Sequence, residues 1–340
     1  MPAIAAFIEC RKMLDYAFPG NPEPAPMLRI FSLFVLLAVC PPLQALDSDN
    51  APIEPGAATP AETAVEPESL VIERIERERA VDDNRSVLLA HRRNYFLPVT
   101  WAKQPNNEPY QNEGTNGGSQ LDNAEAQFQI SLKLPIAEGI LNEQDAIFGG
   151  FTLRAFWQVY NTDISAPFRE TNYEPEIYWI SPVPWNVFGG DATLVSLGLS
   201  HQSNGATQLT SRSWNRVFAA LVWERSRFVY FLKVWWRIPE DEKDDPLDPT
   251  GDDNPDIEDF MGNFEFTAAY RQFDQEISLM LRNNLDIDAN RGAIQLDWTF
   301  PLDGRYRGYL QYFNGYGESL IDYDAHIERV GIGIILTDLL

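Results

Sequence analysis

The chain has 340 residues and is acidic, with 26 Lys and Arg against 50 Asp and Glu and a formal net charge of −24. That balance excludes nucleic-acid binding, which needs a basic footprint. A mean hydropathy of −0.28 excludes a bundle of membrane-spanning helices. An aromatic share of 12% still suits a transmembrane barrel with aromatic girdles, whose strands expose half their residues to a polar lumen.

Residues 1–45 read as leader and signal peptide. The apolar run Ile30–Val39, preceded by Arg29 and followed by Pro41-Pro42-Leu43-Gln44-Ala45, is too short to span a bilayer and fits a signal-peptide core. Met27 is the natural start and Ala45 the expected cleavage point. A lipoprotein reading through Cys40 is disfavoured because bulky Val39 precedes it. Both cysteines, Cys10 and Cys40, fall in this leader, so the mature chain has no disulfide framework and no thiolate metal site.

Residues 46–90 are rich in Pro, Ala, Glu and Asp and read as an acidic periplasmic segment or a solvated linker. Within it, Leu70–Val81 has the composition of a short charged helix.

Residues 91–340 form the barrel domain. From Tyr95 onward, segments of roughly ten residues alternate apolar and polar, the period of a half-buried strand. Phe128, Ile130, Leu132 and Leu134 alternate with Gln127, Gln129, Ser131 and Lys133. Val195, Leu197 and Leu199 alternate with Ser196, Gly198 and Ser200, and Tyr230 to Ile238 and Ile294 to Phe300 repeat the pattern. About twelve such segments, an even number, precede Leu336. A soluble sandwich turns its apolar face inward and a membrane barrel turns it outward. Signal peptide, strand length, even count and aromatic load together predict an all-β fold, a twelve-stranded antiparallel transmembrane β-barrel in a bacterial outer membrane. The alternation runs almost to Leu340, so the last strand is expected to close the barrel.

The histidines are His91, His201 and His326. His201 precedes Ser203 by two, so on a strand both share the face of Val195, Leu197 and Leu199. The stretch Thr207–Ser213 reads as a turn. Beyond it Asn215 shares parity with Val217, Ala219 and Leu221, and a hairpin brings it back beside His201. A serine hydroxyl becomes a nucleophile when an imidazole within reach takes its proton, and a third group must hold the imidazole tautomer. By itself, a His-x-Ser pair in a strand is more often structural than catalytic.

Four blocks carry a resemblance. The run His201-Gln-Ser-Asn-Gly-Ala-Thr-Gln-Leu-Thr-Ser-Arg-Ser-Trp-Asn-Arg216 resembles the active-site hairpin of the outer-membrane phospholipase A family. Phe168-Arg-Glu-Thr-Asn-Tyr-Glu-Pro175, Asp252-Asp-Asn-Pro-Asp-Ile257 and Tyr316-Gly-Glu-Ser-Leu-Ile-Asp-Tyr323 match further blocks in the family's order. The resemblance implies a twelve-stranded, calcium-dependent phospholipase, active as a homodimer, that hydrolyses acyl esters of phospholipids and lysophospholipids with A1 and A2 specificity. It implies Ser203 as nucleophile, His201 as base, Asn215 as its orienter and the Gly205 N–H as oxyanion donor. For calcium it implies Ser211, the backbone carbonyl of Ala206 and Ser165 from the partner subunit, with Asp253 in the monomer form. Ala206 departs from the pattern, where an arginine is familiar, and Gln202 stands where an acidic residue is familiar but has lumenal parity. Two other classes share the barrel pattern: a pore or structural barrel that kept the hairpin, and a barrel protease or acyltransferase. The outward parity of Ser203 fits neither of the latter enzymes.

Overall fold

The computed structural model describes residues 69–81, 88–110, 121–245, 247–248, 250–302 and 306–339. The expected signal peptide, its cleavage point and the first part of the acidic segment lie outside the described residues, as does Leu340.

The barrel strands are β1 (Asn94–Ala102), β2 (Ala124–Glu138), β3 (Ala146–Trp157), β4 (Phe168–Val187), β5 (Gly190–Ser203) and β6 (Ser213–Arg225). They continue as β7 (Phe228–Ile238), β8 (Phe264–Gln272), β9 (Gln275–Asn283), β10 (Gly292–Pro301), β11 (Arg307–Gly315) and β12 (Ile327–Thr337). Each pairs antiparallel with its neighbours in sequence. β12 closes on β1 through Ile332↔Val99 and Val330↔Trp101, so the sheet has no free edge. A two-residue piece, Leu89–Ala90, adds a short rung to β2 opposite Leu132 and Lys133.

Burial shows which way the alternation faces. The apolar parity is exposed, with Trp236 63% and Ile332 54% accessible, whereas polar Gln127 and Thr299 are 0% accessible. A soluble protein shows the reverse, so the outer wall is made for lipid. Exposed Trp101 and Tyr160 stand near the end with long loops, and exposed Trp185, Phe188, Phe273 and Tyr306 near the end with short turns. These are the two aromatic girdles. By the rule for such barrels the short-turn end faces the periplasm. No described helix is long and apolar enough to cross a membrane.

Charged side chains fill the lumen in pairs. Arg169 reaches Glu125 at 2.9 Å and Asp322 at 2.7 Å, and Arg329 reaches Glu125 at 2.8 Å and Glu318 at 2.7 Å. Arg93 joins Glu276 at 2.6 Å and Asp297 at 2.8 Å. Buried ions persist only when paired and hydrogen-bonded in this way.

The helix α1 (Leu70–Val81) has the expected bounds, but it does not run as a solvated linker. Ser69 Oγ accepts the Ile72 N–H at 3.2 Å as an N-cap. Glu224 at the end of β6 then takes the Leu70 N–H at 2.8 Å and the Ser69 hydroxyl at 2.6 Å, placing a negative charge at the positive end of the helix. Val71 is buried against Val229 and Ala269, and Glu78 accepts from Lys133 at 2.7 Å. The helix therefore docks at the short-turn end. Its residues Leu70, Val71, Arg74, Ile75 and Glu78 line a lumenal cavity of about 780 Å³.

Candidate active site

The strands β5 and β6 build the site. Their register sets His201 directly opposite Asn215, with Gln202 opposite Trp214 and Ser203 opposite Ser213. Directly opposed residues on one face bring their side chains together. His201 Nδ1 and Asn215 Oδ1 are 2.9 Å apart. His201 is exposed on the outer wall, continuing the exposed stripe of Leu197 and Leu199, and Val217 follows Asn215 on the same face. Ser203 is half-buried two residues beyond His201 on that face. The hydrogen bond from the Ser203 hydroxyl to the imidazole is the one contact of this group that the structure does not contain. Catalytic hydrogen bonds of this kind commonly tighten in the enzyme–substrate complex.

The opposite parity anchors the hairpin from within. Trp214 is fully buried and donates its indole N–H to Gln202 Oε1 at 2.8 Å, while the Arg216 guanidinium lies 4.1 Å from the Trp214 ring. Gln202 thus points into the lumen, as its parity requires, away from His201.

The loop 204–212 is bolted by Asn204, whose importance the sequence did not reveal. Its Oδ1 accepts the N–H of Arg212 at 2.9 Å and of Ala206 at 3.2 Å. Its Nδ2 donates to the Thr210 carbonyl at 2.8 Å and to Glu170 Oε2 at 3.3 Å. Gly205 has φ +66°, and a Cβ there would meet the Tyr173 ring at 3.3 Å. A left-handed backbone with a ring over it explains the glycine.

The block Asp252–Ile257 holds this loop from the side. Ser211 Oγ donates to Asp253 Oδ2 at 2.6 Å, and buried Asn254 accepts the Ser213 N–H at 3.0 Å. Asp253 also forms an ion pair with Lys243, and Asp252 with Arg237 at 2.5 Å. The short helix α2 (Ile257–Met261) follows, its Ile257 fully buried among Trp214, Trp235, Leu320 and Tyr323. Of the residues expected around calcium, Ser211 and Asp253 meet, and Ala206 lies on the same loop. Ser165, which the resemblance assigns through the partner subunit, stands on another loop of this chain. It caps a 3-10 turn on the loop between β3 and β4, in the left-handed region at φ 64°.

This donor set suits calcium by its chemistry. A hydroxyl, a backbone carbonyl and a carboxylate are the hard oxygen ligands that ion prefers. Among the described residues no three His, Cys, Asp or Glu side chains converge on one point. A shell here would need neutral oxygens, water or a second chain, and Asp253 would have to part from Lys243.

The lumenal cavity is a poor alternative site. Arg92, Glu174, Glu176, Arg216 and Lys233 line it, and neither His201 nor Ser203 does. With neither of those side chains in its wall, the cavity does not serve a reaction at Ser203.

A closed antiparallel barrel with a lipid-facing wall is an outer-membrane barrel, and this one carries a His–Asn rung at its loop end. The family model for phospholipase A1 matches residues 71–336. The chain is 37% identical over 260 residues to a putative phospholipase A1 of Neisseria meningitidis, covering 73% of this chain and 65% of that protein. It is 33% identical over 257 residues to phospholipase A1 of Klebsiella pneumoniae, covering 76% of this chain and 85% of that protein. Among solved structures it is similar to outer membrane phospholipase A from Escherichia coli, with TM-score 0.68, 32% identity, 75% of this chain covered and 100% of that one. It is equally similar to the Salmonella typhi outer membrane phospholipase dimer with bound calcium, with TM-score 0.68, 31% identity, 76% of this chain covered and 94% of that one. The chain belongs to the phospholipase A1 family.

Proposed function

We propose that this protein is an outer-membrane phospholipase that hydrolyses acyl esters of phospholipids and lysophospholipids, of both A1 and A2 type, through Ser203, His201 and Asn215. The observation that carries the reading is the His201–Asn215 hydrogen bond on the lipid-facing wall, with Ser203 next on the same face.

Asn215 Oδ1 accepts the Nδ1–H of His201, which leaves Nε2 with its lone pair. Ser203 Oγ attacks the acyl carbonyl carbon and its proton passes to Nε2. The backbone N–H of Gly205 donates to the carbonyl oxygen as charge builds there. The carbon–oxygen bond of the ester then breaks, and the protonated imidazole gives its proton to the leaving alkoxide. Water, deprotonated by His201, releases the fatty acid from Ser203. Calcium, held by Ser211 Oγ, the Ala206 carbonyl and Ser165 of the partner subunit, would supply positive charge near the developing oxyanion. Asp253 would serve it in the monomer.

The active form is a homodimer. A rung on an exposed wall has no pocket for an acyl chain, and a second barrel placed against it supplies the missing wall. The relative solved as a calcium-bound dimer supports this reading.

The experiment is fatty-acid release from phospholipid in mixed micelles by purified protein. Activity should require calcium and vanish in Ser203→Ala, while the variant keeps its folded mobility on gels. Activity surviving Ser203→Ala would sink the assignment. Crosslinking to a dimer should rise with calcium and substrate.

A further inference from the structure

We propose that Glu240 is a positioning residue for this hydrolysis, extending the line Ser203–His201–Asn215 by one member. The proposal rests on the catalytic reading of Ser203 given above.

The geometry follows from strand register. Asn215 sits opposite His201 on one side and opposite Ile238 on the other. Glu240 follows Ile238 by two residues across Pro239, which returns it to the outward face just beyond the end of β7. There it is half-buried, and its Oε1 accepts a hydrogen bond from Asn215 Nδ2 at 3.1 Å. The other end of the same amide faces His201, at 2.9 Å.

Two consequences follow from the acceptor being a carboxylate. The first is orientation. An amide has a donor end and an acceptor end of nearly equal size, and an ionised carboxylate accepts only. Glu240 therefore fixes the NH2 of Asn215 toward itself and the carbonyl toward His201. A carbonyl at Nδ1 requires the proton on that nitrogen and leaves Nε2 free to act as base. Reversed, the amide would present its NH2 to Nδ1 and drive the proton to Nε2, where it blocks proton abstraction.

The second is charge. A triad ending in an amide lacks the negative charge that an aspartate would bring to the imidazolium. Glu240 restores that charge one residue further out and polarises the amide between, as chains of hydrogen bonds do. Of the cations within three residues of Glu240 in the chain, Lys243 pairs with Asp253 and Arg237 with Asp252. Among the described residues, the hydrogen bond Glu240 makes is the one to Asn215.

The test is steady-state hydrolysis in mixed micelles with a phospholipid of one headgroup. Glu240→Ala should lower kcat by about tenfold to a hundredfold, the scale of a charge-assisted hydrogen bond, with KM within about twofold. In an Asn215→Ala background the same change should alter kcat by less than about twofold, since the mediating amide is gone. An Asn215→Asp variant places two carboxylates face to face. There Glu240→Gln should raise kcat, although it lowers kcat in the parent. That reversal of sign is not expected of a residue that merely braces the loop, and it serves as the test if Glu240→Ala does not fold. Additive losses in the first pair, or no reversal in the second, overturn the proposal. If Ser203→Ala is inactive and Glu240→Ala is fully active, only the positioning role fails. If Ser203→Ala is active, the catalytic reading fails with it.

Discussion

His201 Nδ1 and Asn215 Oδ1 meet at 2.9 Å, and the backbone ladder has already set these two residues opposite each other. The pairing is therefore a product of register, and a one-residue slip of β6 would send Asn215 to the lumen.

Asn215→Ala should lower kcat by about tenfold to a hundredfold, the loss expected when an imidazole keeps its place but not its tautomer partner. The barrel's unfolding midpoint should not move, because the ladder hydrogen bonds of β5 and β6 remain. Micellar kinetics alongside heat-dependent gel mobility separate the two effects. A loss of activity that merely tracks a loss of folded protein counts against the role.

Ser211 donates to Asp253 and stands among the oxygens suited to calcium. Ser211→Ala should raise the calcium concentration for half-maximal activity by about tenfold, equivalent to about 1.4 kcal/mol of binding. Chelation with EDTA should stop hydrolysis and leave the barrel folded. Calorimetric titration of calcium into the variant reads the binding directly, and an unchanged affinity removes Ser211 from the shell.

Glu224 caps α1 by accepting the Leu70 N–H and the Ser69 hydroxyl. Glu224→Ala should cost the helix about 1 kcal/mol, the usual worth of a cap, and cut amide protection in 70–81 about fivefold. Hydrogen exchange followed by mass spectrometry checks this. Exchange in β9 and β10 is the internal control and should stay slow.

Arg169 holds Glu125 and Asp322, and all three side chains are almost wholly buried. Arg169→Ala leaves Asp322 without its ion-pair partner and Glu125 with Arg329, and should cost about 3–5 kcal/mol. Urea unfolding in lipid vesicles measures it. Adding Asp322→Asn should recover part of the loss, because the unpaired charge is then gone.

Asp145 closes the turn between β2 and β3. Burial opposes its charge, but the Trp179 indole N–H at 2.8 Å and the backbone N–H groups of Leu141 at 2.8 Å and Ile140 at 2.6 Å outweigh that. They hold the carboxyl below its ordinary range. A lowered carboxylate contributes stability above its unfolded value of about 3.9 and loses it as pH falls through the folded value. Asp145→Asn should therefore melt earlier than the parent at neutral pH, with the gap closing in acid. A gap that is constant with pH contradicts the charged hydrogen bonds.

The strands were legible because lipid and lumen impose a strict period of two, visible from Phe128–Leu134 to Ile294–Phe300. The His201–Asn215 rung followed from the same parity, with one hairpin supplying the return. Ser211 and Asp253 came only with the resemblance, and the structure brings them together by folding a long loop against a short one. Asn204 and Asn254 lay inside quoted blocks, but nothing in a single sequence distinguishes a buried amide that satisfies backbone from an exposed one. Glu240 sits past a strand end, beyond Pro239, where the alternation stops. Glu224 caps a helix that begins 154 residues earlier in the chain. No local pattern records such a partner, which is why the helix was legible in the sequence and its docking was not.

The outward direction of the His201–Asn215 rung has a kinetic consequence. Substrate meets it by gliding sideways within a leaflet, so the encounter is a two-dimensional search. Its frequency follows the mole fraction of substrate in the surface, and molarity in the bulk drops out. Diluting phospholipid with an inert amphiphile should slow turnover even when the total amount of substrate in the tube is unchanged.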